Sequence, residues 1–222
     1  MASRKVASVE SPPAPEDDTL LRDRAPASTR LAGVILCGGR SSRMGVDKAT
    51  ITFEGTTLLM RAVASLDQVC EPVLIASGGI STRVPGRRSV ADAVPDSGPL
   101  GGLVAALRAS PHQLLAVVAV DHPWIDAGLL RMLANRIGDR DVAVCEMGDG
   151  VEPLHAVYST SILQAAETAL AGSDRSLQRL IGRANAMRVA EREWREAGFS
   201  ERFARNLNTP EDIAEATWRD PR

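Results

Sequence analysis

Residues 31–48 read LAGVILCGGRSSRMGVDK. The first seven, Leu31 to Cys37, are apolar without alternation, the pattern of a strand buried on both faces of a parallel sheet. The run breaks at Gly38-Gly39 into a loop carrying Arg40, Ser41, Ser42, Arg43, Gly45 and Lys48. A buried strand followed by a glycine turn, small hydroxyls and cations brings backbone N–H groups and positive charge together, which suits a polyphosphate. The glycines let the backbone approach an anion with no Cβ in the way, and Arg43 and Lys48 can neutralise charge on phosphorus oxygens. The loop contains neither GxxxxGK[ST] nor GxGxxG, so it matches neither the P-loop nor the dinucleotide fingerprint.

Working outward, Leu59, Ala62, Val63 and Leu66 fall at helical spacing and predict a helix over 56–68. Pro72 introduces Val73-Leu74-Ile75-Ala76, a short buried strand ending at Ser77-Gly78-Gly79. One short strand is expected within 84–94, then a dense turn at Pro95-Asp96-Ser97-Gly98-Pro99, then a helix on Leu100, Leu103, Val104 and Leu107. Residues 114–120, LLAVVAV, form the clearest strand of the chain and end abruptly at Asp121-His122-Pro123-Trp124. Ligands of open α/β sheets bind beyond the carboxyl ends of strands, which makes Asp121 a candidate site residue.

A helix follows on Leu129, Leu130, Leu133, Ala134 and Ile137, with Asp126 as its cap. A strand over 141–147, a Gly148-Asp149-Gly150 turn and a return over 152–158 suit an antiparallel hairpin. Ile162, Leu163, Ala166 and Leu170 mark another helix, and Asp174 or Ser173 is the expected cap of the next, on Leu177, Leu180 and Ile181. The last signals are Asn206-Leu207-Asn208-Thr209-Pro210 and a closing helix with Thr209 as N-cap and Pro210 in its first turn.

The 222 residues suffice for one large α/β domain or two small ones, and a formal charge of −2 points away from nucleic-acid or membrane-surface binding by bulk charge. With 44% hydrophobic residues but only 3% aromatic, the core must be built mainly of Ala, Val, Leu and Ile. Residues 1–30 hold Pro12, Pro13, Pro15 and Pro26 among polar residues with no apolar period, and are expected to be a disordered arm ahead of a domain spanning 31–222. Cys37, Cys70 and Cys145 are widely spaced in apolar surroundings, as reduced core thiols would be. The absence of a signal-peptide pattern or a membrane-length apolar run makes a cytoplasmic location the expectation.

Four elements are expected at one edge of the parallel sheet: the 38–48 loop, the strand end at Ser77, the Asp96 loop and Asp121. They supply N–H groups, two cations and two carboxylates, as phosphoryl or nucleotidyl transfer requires, where positioning and charge neutralisation matter more than a covalent nucleophile. Mg²⁺ takes few protein ligands when a nucleotide supplies the rest, and Asp121 is the residue placed to bind it. His122 and His155 lack metal-ligand spacing and are read as hydrogen-bonded structural residues, and Cys37 as packing.

These residues resemble the signature of the molybdenum cofactor guanylyltransferases and their nucleotidyltransferase relatives. The resemblance rests on GGRSSRMGVDK after its strand and continues through DSGPLGG at 96–102, VDHPW at 120–124, EPLHAVY at 152–158, GSDRSLQRL at 172–180 and NLNTPED at 206–212. It implies a three-layer α/β/α fold with a mostly parallel central sheet and a Rossmann-like N-terminal half, like that of the nucleotide-diphospho-sugar transferases. It also implies transfer of GMP from Mg·GTP to the terminal phosphate of molybdopterin bearing molybdenum, with release of pyrophosphate. By motif position Leu36, Gly38, Gly39 and Lys48 would lie on GTP, Asp96 on guanine or ribose, and Asp121 on Mg²⁺, with Arg43, Lys48 and Asp121 carrying the transfer. Asn206 and Asn208 would border the pterin substrate. Ser77 stands where the family commonly carries an Asn. Transient contact with other cofactor-biosynthesis proteins or acceptor oxidoreductases would follow, with no nucleic-acid or membrane partner.

Gly38-Gly39 favours the guanylyl branch, since relatives that use CTP typically carry Ala-Gly. A cytidylyltransferase acting on the same pterin, or another small-molecule nucleotidyltransferase, is the alternative within this enzyme class. A nucleotide-binding carrier that presents the cofactor without catalysis is the alternative outside it.

Overall fold

The two apolar runs lie side by side at the heart of the sheet. In the computed structural model Leu31–Leu36 and Leu114–Ala119 are parallel and in register from Leu31 opposite Leu114 to Leu36 opposite Ala119, and every residue of both is buried. The structure describes residues 30–37, 47–77, 83–92, 94–148 and 150–218. The arm over 1–29 and the loop residues Gly38, Gly39 and Arg43 lie outside the described residues.

In chain order the elements are β1 (Leu31–Leu36), a 3-10 turn (Lys48–Thr50), β2 (Thr52–Phe53), β3 (Thr56–Thr57), α1 (Leu58–Leu66), β4 (Val73–Ala76) and β5 (Arg88–Val90). These are followed by α2 (Gly98–Ala109), β6 (Leu114–Ala119), α3 (Ala127–Arg136), β7 (Val142–Met147), β8 (Gly150–Val151) and β9 (His155–Ser159). The chain continues through a second 3-10 turn (Thr160–Ile162), α4 (Leu163–Ala171), α5 (Leu177–Arg183), β10 (Ala186–Val189), α6 (Glu191–Glu196), a third 3-10 turn (Glu201–Ala204) and α7 (Pro210–Trp218).

The main sheet runs β10-β7-β9-β6-β1-β4-β5, with β8 paired to the end of β7. Pairings β1–β4, β4–β5, β1–β6 and β7–β10 are parallel, and β9 lies antiparallel to both β6 and β7. The Gly148 turn therefore makes the expected hairpin, and the sheet is mostly parallel, with β9 and the short β8 reversed. Side chains alternate across the strands, so Leu31, Ile35 and Cys37 join one core with α1 and α3, while Ala32, Val34 and Leu36 join the other with α2 and α4. This is the three-layer α/β/α architecture.

Three differences from the sequence reading have local causes. Thr56 and Thr57 belong to a two-residue hairpin with β2, and Thr57 then caps α1 through its side chain, so the helix starts at Leu58. The cap of α5 is Ser176, whose Oγ accepts from Arg179 N–H, in place of Asp174 or Ser173; Asp174 instead pairs with the Arg179 guanidinium at 3.0 Å. Strand β10 and helix α6 carry no readable period, because β10 is a half-exposed edge strand and the six-residue α6 is anchored by Trp194 alone among its side chains. Trp194 is buried edge-on against Phe203 at 5.4 Å and donates its indole N–H to the Glu146 carbonyl at 3.1 Å.

Candidate active site

The carboxyl ends of β1, β4, β5 and β6 finish at one edge, and backbone hydrogen bonds carry the alignment one residue further. Cys37 N–H donates to the Ala76 carbonyl at 2.7 Å, Val120 N–H to Leu36 at 3.1 Å, and Ser77 N–H to Val90 at 3.3 Å. Leu36 is thus the buried last residue of β1, and Asp121 stands two residues past the end of β6. Ser77 is itself buried. The expectation that these strand ends meet at one edge is met.

Lys48 is delivered to this edge by a fixed turn. The Asp47 carboxylate caps the turn by accepting from Ala49 N–H at 3.0 Å, Ala49 is buried, and Leu58 N–H closes the segment on the Ile51 carbonyl at 2.9 Å. From there the Lys48 ammonium donates to Asp121 Oδ2 at 2.7 Å and to Asn208 Oδ1 at 2.7 Å. Both members of the ion pair are half-buried, so the contact is shielded from bulk water more than a surface pair would be. An ammonium has three donors, and these two bonds leave a third for a ligand.

Asn208 is held in place from two directions. Its neighbour Leu207 is fully buried and donates its N–H to the Asp121 backbone carbonyl at 2.8 Å, while α7 begins two residues later with Thr209 as cap. Asn206, on the other side of Leu207, is exposed. Residues 48, 121 and 208 thus converge from three segments far apart in the chain. Asp96 sits elsewhere along the edge, in the turn before α2, with a left-handed backbone at φ 55°. Such a conformation is uncommon outside glycine, although Asp and Asn tolerate it best.

The DSGPLGG motif has a packing role of its own. Ser97 is buried under α2 and donates its hydroxyl to the Val94 carbonyl. A Cβ on Gly101 would lie 1.7 Å from Ser97 Oγ, and one on Gly102 would lie 3.1 Å from Leu36 Cδ2 and 3.3 Å from Ala76 Cβ. Gly102 lets α2 settle against the ends of β1 and β4, Gly101 leaves room for Ser97 beneath its first turn, and the start of a twelve-residue helix is so brought to the site edge.

Below the edge lies a layer of buried polar groups. His155 accepts from Asp126 N–H at 3.0 Å and packs on Phe203 with ring centroids 4.9 Å apart. Burial pushes its imidazole down to about 3, so it is neutral at physiological pH. His122 is also buried, and burial lowers its pKa despite the opposing pull of Asp121; its Nε2 is 4.0 Å from Asp121 Oδ1, beyond hydrogen-bond reach. Asp126 caps α3 by accepting from Leu129 N–H at 3.0 Å. The bond from Asp126 gives His155 the expected structural contact, while Nδ1 of each buried histidine meets no hydrogen-bond partner among the described residues; Asp121 is left clear of the helix cap. Cys37 is likewise a buried thiol, pushed up to about 12 by burial, as packing would have it.

Glu152 was not singled out from the sequence. Strands β6 and β9 pair Val118 with His155, and Ala119 N–H reaches the Leu154 carbonyl at 3.2 Å. Extending that antiparallel register past the ladder sets Glu152 opposite Asp121. Burial pushes the Glu152 carboxyl up to about 7, against the lowering effect of its bond from Leu154 N–H, and the Asp121 charge adds to the rise. The signal available in the sequence was one carboxylate ahead of an apolar return strand.

Among the described residues no group of three or more His, Cys, Asp or Glu side chains is arranged to hold a metal, and no helix is long and apolar enough to cross a membrane. A cleft of about 1290 Å³ lined by Arg30, Glu71, Pro72, Pro111, His112 and Arg131 lies at the opposite edge, where the strands begin, away from Lys48 and Asp121.

Known proteins resemble this chain in sequence and in fold. The family model described as "MobA-like NTP transferase domain" matches residues 33–189. The chain is 38% identical over 199 residues to a protein of Opitutus terrae named "probable molybdenum cofactor guanylyltransferase", across 83% of this chain and 94% of that one. It is 34% identical over 196 residues to a protein of the same name from Chloroflexus aggregans, across 85% and 94% of the two chains. Among solved structures, molybdopterin-guanine dinucleotide biosynthesis protein A from Archaeoglobus fulgidus superposes with a TM-score of 0.73 at 22% identity, across 84% of this chain and 97% of that one, which speaks to the fold alone. With the family model spanning most of the sheet and relatives above 30% identity covering most of both chains, this chain belongs to the MobA-like NTP transferase family.

Proposed function

We propose that the protein transfers GMP from GTP to the terminal phosphate of molybdopterin, giving the guanine dinucleotide form of the cofactor and pyrophosphate. The observation that carries this reading is the convergence of Lys48, Asp121 and Asn208 at the carboxyl edge of the parallel strands, in a chain whose relatives bear the guanylyltransferase name. In the reaction an oxygen of the pterin phosphate attacks the α-phosphorus of GTP; a new P–O bond forms as the bond to the bridging oxygen breaks, and pyrophosphate leaves with the electron pair.

Each residue has a part that follows from its chemistry. The Lys48 ammonium, with one donor beyond those given to Asp121 and Asn208, meets the charge that grows on the α-phosphate and the departing pyrophosphate. Arg43 supplies a second cation from the glycine loop, and Gly38 and Gly39 let its N–H groups approach the phosphates. The start of α2 brings the positive end of a helix toward the same charge, with Asp96 in the turn before it as a contact to guanine or ribose. Asn206 and Asn208 border the pterin.

The residues present fit a divalent ion that arrives with its nucleotide. Asp121 gives one oxygen to Lys48, and its Oδ1 lies at the edge beyond reach of the neutral His122, so Asp121 has an oxygen to give, and the phosphates would supply the remaining hard ligands. Bound Mg²⁺ would neutralise phosphate charge there, with Asp121 as its protein ligand.

The test is incubation with molybdopterin, Mg²⁺ and GTP labelled at the α-phosphate. Label is expected in a pterin dinucleotide, with one pyrophosphate released per transfer. Transfer from CTP but not GTP would overturn the base assignment, and binding of GTP with no transfer to the pterin would favour a carrier.

A further inference from the structure

Asn208 touches Lys48 with its side chain, but its backbone is held by another residue. The N–H groups of Asn208 and Thr209 both donate to Asp212 Oδ2, at 2.8 and 2.9 Å, and Asp212 N–H donates back to Thr209 Oγ1 at 3.1 Å. The bonds between Thr209 and Asp212 form a capping box, which is what the first turn of α7 needs. The bond to Asn208 N–H is surplus to that need, because Asn208 precedes the cap and lies outside the helix.

We infer that Asp212 is a positioning residue for Lys48: it clamps the backbone at Asn208 and Thr209, and so aims Asn208 Oδ1 at the Lys48 ammonium. The clamp has a fixed counterpart on the other side, where Leu207 is buried and bonded to the Asp121 carbonyl. Between the two anchors the Asn208 backbone is fixed, and from it the side chain reaches Lys48 at 2.7 Å. The two N–H donors hold the Asp212 carboxyl below the usual carboxylate range, so it is ionised and accepts both bonds across the physiological range. Asp212 acts on the lysine through Asn208, whose side chain makes the contact. It fixes where the remaining donor of Lys48 points. The effect on turnover rests on the part given to Lys48 above, whereas the effect on the lysine does not.

The chain offers a direct readout, since only two of its 26 lysine and arginine residues are lysines, Lys5 and Lys48. Protein labelled with ¹³C and ¹⁵N in lysine gives two side-chain signals, assigned with Lys5→Arg. In Asp212→Asn the Lys48 Nζ protons are expected to exchange at least ~10-fold faster and the Lys48 signal to move toward that of free lysine in the same buffer, as for a side chain that has lost a fixed partner. kcat for GTP transfer should fall about 10-fold, with KM for GTP changing less than about threefold. Asn208→Ala should produce the same changes, and the double variant no further loss, since both act on one lysine. Asp212→Glu, with the carboxylate customary in a capping box, should restore both readouts. If Asp212→Asn fails to fold by circular dichroism, Asp212→Ser carries the same expectation. A Lys48 signal unchanged in the Asp212 variants, or losses that multiply in the double variant, overturns the inference. Absence of GTP transfer in the wild type would overturn the proposed function instead, and the lysine signals would still decide the part played by Asp212.

Discussion

Lys48 and Asp121, joined at 2.7 Å, reach each other from a short turn after the first strand and from the end of the central strand, 73 residues later. The pairing depends on a single nitrogen that also serves Asn208. Lys48→Ala is therefore expected to lower turnover by at least ~10²-fold, the scale for losing a preorganised charge. Lys48→Arg should fail too, by about 10-fold or more, because a planar guanidinium spreads its donors over a fork and cannot make both contacts from one atom. Steady-state pyrophosphate release measures both. An arginine variant working at the wild-type rate would mean that charge alone is sufficient at this position.

Asp96 is expected to separate stability from binding. At φ 55° its backbone is one that glycine adopts freely, so Asp96→Gly should leave the melting temperature within about 3 °C of wild type. If its carboxylate contacts guanine or ribose, KM for GTP should rise by about 10-fold in the same variant. Thermal melts and GTP titrations distinguish the two effects, and an unchanged KM would return Asp96 to the status of a turn residue.

Under α2, Gly101→Ala should destabilise the protein by about 1–3 kcal/mol, since its Cβ would overlap Ser97 Oγ at 1.7 Å. The clash has one source. Ser97→Gly is expected to relieve most of it in the double variant, read from urea unfolding midpoints. Additive losses in the double variant would show that Ser97 is not what the added methyl meets.

Glu152 gives a pH signature. Its carboxyl titrates at about 7 in the folded chain against an ordinary value of 4.5, so the folded state keeps a proton that the unfolded state releases. Stability from this group is full below pH 4.5 and declines as pH rises to 7, by an amount of up to about 3 kcal/mol. Glu152→Gln removes the decline and should be the more stable protein at pH 8, with a smaller advantage at pH 5. Parallel pH profiles for the two proteins would show that the burial of Glu152 carries no such penalty.

What could be read from the sequence was whatever one element states by itself. The unbroken apolar runs of β1 and β6 announced a parallel centre, and Asp126 and Thr209 announced helix starts, because propensity and capping are local. Asp121 was legible because it terminates a strand, and Lys48 because it follows a glycine loop. The bond between them was not legible, nor was the use of Asn208 as its third member, since both depend on which strand ends become neighbours. Glu152 escaped notice for a related reason: its place opposite Asp121 exists only once β9 is paired with β6. DSGPLGG looked like a loop for ligands, and two of its glycines prove to serve close helix packing as well.

The family model ends at residue 189, yet the second partner of Lys48 is residue 208. A chain shortened to the matched segment would keep the central strands and lose the hand that steadies the lysine. The strands are complete at Val189, so the segment that carries Asn208 adds no strand to the sheet, and its Asn208 serves the lysine.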